Sequence, residues 1–334
     1  MDDKKPTGTV FITGASSGLG LSHAIYLTSL GYKVIGTSRD AAALDLTDLK
    51  RLFLEDHTKY YFSDKDKREV KKGALLAPRD LVQTVTDCLK KIEFISMDIT
   101  DGESVRRAVN SADAAAPMDV VINNAGIFHW GSLEETAAEE AAKLFDVDFF
   151  GQMRVLQAFI PRMRTRGRGL IINTTSMASV VGLPFFAYYS AAKAAMERVT
   201  EAFYTELRPF GIRVSSLLPG DINTAINANL ASRHGKNGRC GSTDVGKIID
   251  SLTTPENSAY FKRSLAAWEI FVRNHIVAPP PFLVSRKIAR IIRSQNPKVH
   301  YKVGNFMQAK LLPVLKALLP DKLFLHSLAK VFGI

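Results

Sequence analysis

The chain has 334 residues, 46% hydrophobic and 23% charged, which suits one large α/β domain or two small ones with a sizeable core. A formal charge of +11 makes nucleic acid the first partner to test, but the basic residues are scattered through 65–72, 162–168 and the C-terminal third without interleaved aromatics, so no nucleic-acid partner is expected. Cys88 and Cys240 offer neither metal-ligand spacing nor a disulfide framework, and no apolar signal core or long apolar run occurs; a reducing, cytoplasmic setting and no metal are expected.

In chain order, residues 9–13 form a short apolar strand, and TGASSGLG follows at once, with Gly14, Gly18 and Gly20 in G-x-x-x-G-x-G spacing. A helix over about 19–30 then stops at Gly31, a favoured C-terminal cap. Such glycines let the backbone turn tightly and approach a pyrophosphate, which gains further from amides at the helix start. Ser16, Ser17 and Leu19 join them as expected cofactor contacts. Taken alone, the motif also fits a Gly-rich turn that merely packs helix on strand. Residues 32–38 supply the next strand, as a dinucleotide fold requires. Ser38 stands at its end, where an acid usually meets the ribose hydroxyls, and Arg39 follows. An acid would repel a 2′-phosphate whereas Ser-Arg accepts it, which favours NADP(H), although an Arg after a strand is also a common solvated residue.

Residues 41–93 are longer than an ordinary crossover. Spacing predicts helices over 44–54 and 80–91 around a charged centre, and the whole reads as an inserted, solvated excursion. The third strand, 94–97, ends at Asp98, which with Ile99 can meet the adenine edge; the fourth, 119–122, leads into NNAG, residues 123–126.

The stretch 169–198 carries the chemistry. A buried strand over 170–174 precedes a loop with Ser176, and an Ala-rich helix begins near Tyr188. Tyr189 and Lys193 are four apart on that helix, on one face, and Ser176 reaches the same spot from the strand end. A phenol that trades protons at neutral pH needs its pKa lowered by about 3 units, or about 4 kcal/mol. A cation about 4 Å away supplies that at an effective dielectric of ~20. Lys193 is therefore expected to lower the tyrosine pKa while Ser176 donates to the substrate oxygen. Tyr61 and Lys65 repeat the spacing inside a charged run with no preceding strand or serine loop, and read as a solvated pair.

TGASSGLG, Asp98, NNAG, Ser176, Tyr189-x-x-x-Lys193 and PGDINT, in this order, resemble the short-chain dehydrogenase/reductase family over roughly 9–304. VLQAFIPRMRTRG, GLPFFAYYSAAKAAMERVTEAF and LRPFGIRVSSLLPG are similar to its 17β-hydroxysteroid and retinol dehydrogenase branch. The resemblance implies a Rossmann-type, doubly wound parallel sheet of about seven strands in a single α/β domain, a nicotinamide cofactor and reversible alcohol oxidation. It further implies that Asn124, Ala125 and Gly126 line the cofactor, that Lys193 also holds the nicotinamide ribose, and that Pro219, Gly220, Ile222 and Thr224 clamp the nicotinamide. A homodimer built on helices around 134–164 and 188–208 is implied too. One departure concerns Asp148, which stands where many members place an Asn that organises a water chain to the lysine. Its carboxylate is expected to raise the pKa of Lys193 and alter proton relay.

Residues 225–275 are expected to form a substrate lid, with an amphipathic helix over 261–272. Phe128, Trp130, Met177, Val180, Leu183 and Phe185 read either as a greasy pocket for a lipophilic substrate or as core. His129 reads as a pocket-rim or surface residue. The tail, 305–334, is broken by Pro313 and Pro320, carries Lys310, Lys316, Lys322 and Lys330, and either docks on its own domain or makes peripheral contact with a membrane through 306–334. The sequence thus points to an NADP(H)-dependent carbonyl–alcohol oxidoreductase. A catalytically silent cofactor-sensing or scaffold protein is the rival from another class.

Overall fold

Seven parallel strands form one sheet in the order β3-β2-β1-β4-β5-β6-β7. They are β1 (Thr9–Ile12), β2 (Lys33–Ser38), β3 (Glu93–Ser96), β4 (Val120–Asn123), β5 (Gly169–Thr174), β6 (Ile212–Pro219) and β7 (His300–Val303). The computed structural model describes residues 8–58, 78–224, 252 and 254–334. The Tyr61–Lys65 pair, Cys240 and most of the expected lid lie outside the described residues. Runs such as VVIN and GLIINT are buried along their whole length, because a central parallel strand is covered on both faces. The strand order reverses between β1 and β4, and a crevice opens at the C-terminal ends of such a pair.

Helices α1 (Gly18–Ser29), α2 (Leu46–Thr58), α3 (Pro78–Leu89) and α9 (Pro281–Arg293) cover one face. On the other lie α4 (Gly102–Ala115), α6 (Gln152–Arg166) and the C-terminal half of α7 (Ala187–Leu207), where the rings of Phe11 and Phe159 meet at 4.8 Å. The remaining helices are α5 (Ala138–Phe145), α8 (Phe261–Ile276), α10 (Leu312–Leu318) and α11 (Asp321–Val331).

The flanks of the 41–93 segment are not a solvated excursion. Leu49 and Phe53 on α2, with Leu81, Val85, Cys88 and Leu89 on α3, are buried in the same core as Ile25 and Leu27 of α1. Each such side chain contributes about 1.5–3 kcal/mol on burial, so amphipathic spacing here signalled a packed face. Among the described residues no helix is long and apolar enough to cross a membrane.

Helix α1 is tied to α9 by a buried polar cluster: His23 Nδ1 lies 2.8 Å from Ser285 Oγ, which is 2.9 Å from Ser22 Oγ. Burial pushes the His23 imidazole down to about 3. Because the folded pKa lies below the unfolded 6.5, stability is fully present above pH 6.5 and drains as pH falls toward 3. At about 1.4 kcal/mol per unit the loss approaches ~5 kcal/mol. Denaturant midpoints measured from pH 7 to pH 4 are therefore expected to fall less steeply in His23→Gln than in the wild type.

Candidate active site

Strand β5 ends at Thr174, and Ser176 caps the short 3-10 turn Met177–Ser179, its hydroxyl accepting from the Ala178 amide at 3.1 Å. Beneath it, Thr175 donates to Glu197 at 2.6 Å, and Glu197 also accepts from Ser216 at 3.1 Å and meets His300 Nδ1 at 2.8 Å. This hydrogen bond and the glutamate charge raise the His300 pKa against burial. The network fixes the strand end that presents Ser176. It was invisible in the sequence, since its members come from the residue after β5 and from α7, β6 and β7.

Tyr189 lies in the first turn of α7 and Lys193 one turn later. Ser176 hydrogen-bonds the phenol, and the Lys193 ammonium lies 5.4 Å from the centre of the tyrosine ring. Asp148 comes from a π-helical turn, Asp146–Gly151, that joins α5 to α6; such turns recur at functional sites because the extra residue re-aims a side chain. Its carboxylate accepts from the Ile127 amide at 2.6 Å and meets Lys193 Nζ at 2.8 Å, with both side chains buried. Gly126 is packed against the pair: a β-carbon there would stand 3.1 Å from Asp148 Oδ2 and 3.2 Å from Lys193 Nζ.

These contacts revise the expected electrostatics. Burial pushes the Tyr189 phenol up; Lys193 pulls it down, but Asp148 opposes that pull, and the net shift is upward. Burial pulls the Lys193 pKa down, but Asp148 and Tyr189 outweigh it, the net shift is upward and the lysine is a cation. Burial likewise raises the Asp148 pKa against the attraction of Lys193. The tyrosine thus keeps its proton at neutral pH, because burial raises its pKa and the lysine that would lower it is shared with a carboxylate.

A continuous cavity of about 1760 Å³ opens in front of these groups, larger than the roughly 300–1,000 Å³ usual for one small ligand. It is lined by Ser176, Tyr189, Lys193 and Asp148, by Gly14, Ser16, Ser17, Gly18 and Leu19, by Ser38, Arg39, Asp98 and Ile99, by Asn124, Ala125 and Gly126, and by Pro219, Gly220, Ile222 and Thr224. Gly20 alone among the expected contacts does not line it. A β-carbon there would meet the Gly14 carbonyl at 2.1 Å and Asn124 Nδ2 at 2.7 Å, so Gly20 is required for close packing of α1 under the loop. Gly14 and Gly18 have φ of 66° and 51°, the left-handed region that favours glycine. Asn124 also serves the scaffold, donating from its side chain to the Thr13 carbonyl at 3.1 Å while Thr13 Oγ1 accepts the Asn124 and Ala125 amides at 2.8 Å. The loop, the α1 start and the two strand ends thus form a cradle shaped for a dinucleotide.

Of the apolar candidates, Phe128, Trp130, Met177 and Leu183 line the cavity, whereas Val180 and Phe185 do not. Phe185 adopts a φ of 60°, its carbonyl accepting the Gly131 amide at 3.0 Å and its ring stacking on Trp130 at 5.7 Å. His129 lines the cavity with its Nε2 3.1 Å from Thr136 Oγ1. The aromatic wall is completed by Trp268 and Phe271 of α8.

The tail supplies residues that motif reading missed. Gln308 Oε1 accepts the Asp221 amide at 2.9 Å and its Nε2 donates to the Asp221 carboxylate. A β-carbon on Gly220 would stand 2.3 Å from Gln308 Oε1, so the PGD turn and the tail are mutually fitted. Leu311, Leu312, Leu315, Phe324 and Leu328 continue the cavity wall. The apolar spacing of the tail was the available signal, but spacing does not reveal which surface it covers.

Parallel sheet, glycine-rich cradle and converging Ser176, Tyr189 and Lys193 together define a Rossmann-type oxidoreductase. A family model described as short chain dehydrogenase matches residues 75–235. The chain is 30% identical to a 3-ketodihydrosphingosine reductase from Bacteroides thetaiotaomicron over 97% of this chain and 98% of that one. It is 28% identical to human 17-beta-hydroxysteroid dehydrogenase type 1, over 93% of this chain and 81% of that one. Among solved structures, a short-chain dehydrogenase from Streptomyces avermitilis is 26% identical, with a TM-score of 0.66 and 98% of both chains covered. The chain belongs to the short-chain dehydrogenase/reductase family, whose fold binds a nicotinamide cofactor.

Proposed function

We propose that the protein is an NADP(H)-dependent reductase of a ketone or aldehyde carried on an extended, lipophilic chain. The observation that carries this reading is the continuity of one cavity from Ser176 and Tyr189 to the apolar wall formed by α8 and the tail. A dinucleotide in the cradle leaves room for a second large ligand, and the apolar side chains beyond the catalytic groups suit an aliphatic chain. The name of the Bacteroides relative, a reductase of a keto-lipid, agrees with this direction and size.

When bound, the reduced nicotinamide supplies the hydride. Ser176 positions the substrate carbonyl by a hydrogen bond, and the Tyr189 phenol gives its proton to the oxygen as negative charge develops on it. Lys193, held as a cation by Asp148, stabilises the phenolate left behind. With Ser176, Tyr189 and Lys193 all converging on the cavity, the silent-scaffold reading has no support.

The NADP(H) preference rests on Ser38 and Arg39, both at the cavity where β2 ends. Arg39 is exposed and close enough to Asp98 to help hold that carboxyl below its usual range, chiefly an effect of Thr100 hydrogen bonds. Ser38→Asp is expected to weaken NADPH at least tenfold relative to NADH, read by titrating both cofactors. A wild-type preference for NADH refutes the cofactor assignment. Turnover of NADPH against long-chain keto-lipids, fatty aldehydes, steroids and retinoids tests the substrate class. Turnover confined to compact polar ketones refutes it.

A further inference from the structure

The tail packs one set of apolar side chains against the protein and leaves a second set exposed on its outer side. Inward, Phe324 and Leu328 pack with Val181 against the loop after Ser176, and Gln308 is fastened to Asp221. Outward, Phe306, Met307, Val314, Leu318, Leu325 and Val331 are each 47–75% exposed. With Leu323 they make seven of the thirteen exposed large apolar side chains among the described residues, all in this one short segment, a concentration beyond the scattered apolar residues of an ordinary surface.

Two further observations indicate what covers this face. The first is charge. Lys310, Lys322 and Lys330 are exposed along the tail, whose one acid, Asp321, is taken by Lys316 at 2.5 Å. At the base of the tail, Lys287 sits among Arg290, Lys310, Arg286 and Lys298; burial first, and then these neighbouring charges, lower its pKa. Cations gathered close enough to repel one another, beside an apolar surface, complement an anionic headgroup layer over hydrocarbon. The second is access. Met307 and Val331 both line the catalytic cavity and are 60% and 64% exposed, so the cavity mouth has an apolar rim that belongs to the same face.

We propose that the outer face of residues 306–334, with the adjoining basic patch on α9, docks on an anionic lipid surface so that the cavity mouth at Met307 and Val331 opens onto the bilayer. The tail is then both a wall of the substrate cavity and its membrane contact. Its short helices lie in the interface. A lipid substrate passes from bilayer to cavity without exposing its chain to water. The proposal rests on the keto-lipid reading only for what passes through the mouth.

The test is co-sedimentation of the full chain with vesicles of phosphatidylcholine alone and of phosphatidylcholine mixed with phosphatidylglycerol, at low and high salt. Stronger binding to the mixed vesicles, weakened by salt, is expected. The variant Phe306→Glu/Leu318→Glu/Leu325→Glu alters exposed positions that do not line the cavity, and its bound fraction is expected to fall at least tenfold while NADPH affinity is unchanged. A wild-type protein that stays in the supernatant with mixed vesicles, or a variant that sediments like the wild type, overturns the proposal. So does a dimer that dissociates in the variant with no vesicle binding by either, which would assign the face to a second copy. Binding is read without turnover, so an enzyme that reduces a keto-lipid but ignores vesicles refutes this inference alone.

Discussion

Tyr189→Phe is expected to reduce turnover by about 10³-fold or more while leaving NADPH affinity within about twofold of the wild type. The ring remains, so its contacts with Phe128 and Phe186, at 6.1 and 5.7 Å between centroids, are kept. What disappears is the hydroxyl that Ser176 contacts and that the Lys193 charge acts on. Two histidines among the described residues line the same cavity, and both are engaged elsewhere: His129 lies 3.1 Å from Thr136 Oγ1, and His275 lies 3.0 Å from the Phe271 carbonyl and 3.5 Å from Asp221. Single-turnover measurement with pre-bound NADPH separates chemistry from product release. Near-wild-type turnover by the variant would show that the proton comes from elsewhere.

Asp148→Asn has the next largest expected effect, and the pH profile is its signature. The carboxylate accepts from two donors, the Ile127 amide and Lys193, whereas an Asn side chain has one oxygen to offer. One donor is then left unsatisfied beside a buried cation that has lost its anion. Breaking a buried pair on one side costs about 3–5 kcal/mol, so a lower melting temperature is expected. A purely structural role would end there. Here the phenol also loses the repulsion that Asp148 exerts, so that burial alone still opposes the pull of Lys193. The Tyr189 pKa is therefore expected to fall, and the alkaline limb of the reductive pH–rate profile, where the proton donor is lost, moves to lower pH. Wild-type and variant profiles recorded well below both melting temperatures give the comparison. An unmoved limb would mean that the Asp148 charge is not felt at the phenol.

The positions of β1 to β5 were legible in the sequence to within about a residue, because apolar β-branched runs such as 120–123 and 169–174 are buried along their whole length in a central parallel sheet. The glycine cradle and Ser176, Tyr189 and Lys193 were legible for a related reason. Left-handed glycines and a four-residue helical spacing are local properties, and a family resemblance carried by six motifs in order supplied the rest. The substitution at Asp148 was visible as well, with its upward effect on Lys193.

Tertiary structure alone decided what those residues do to one another. Tyr189 was expected to be lowered by Lys193, and the sign reversed because burial and a carboxylate from a different helix outweigh the lysine. The segment 41–93 was expected to be solvated, yet Leu49, Phe53, Leu81 and Val85 face the core, since an amphipathic pattern fixes which side is apolar but not what it meets. Gln308 on Gly220, and the tail as the far wall of the cavity, depend on segments that are distant in the chain and adjacent in space. Local sequence fixes backbone conformation and side-chain spacing over a few residues. Burial, and hence the strength and sign of every charge interaction in the site, is set by the whole fold.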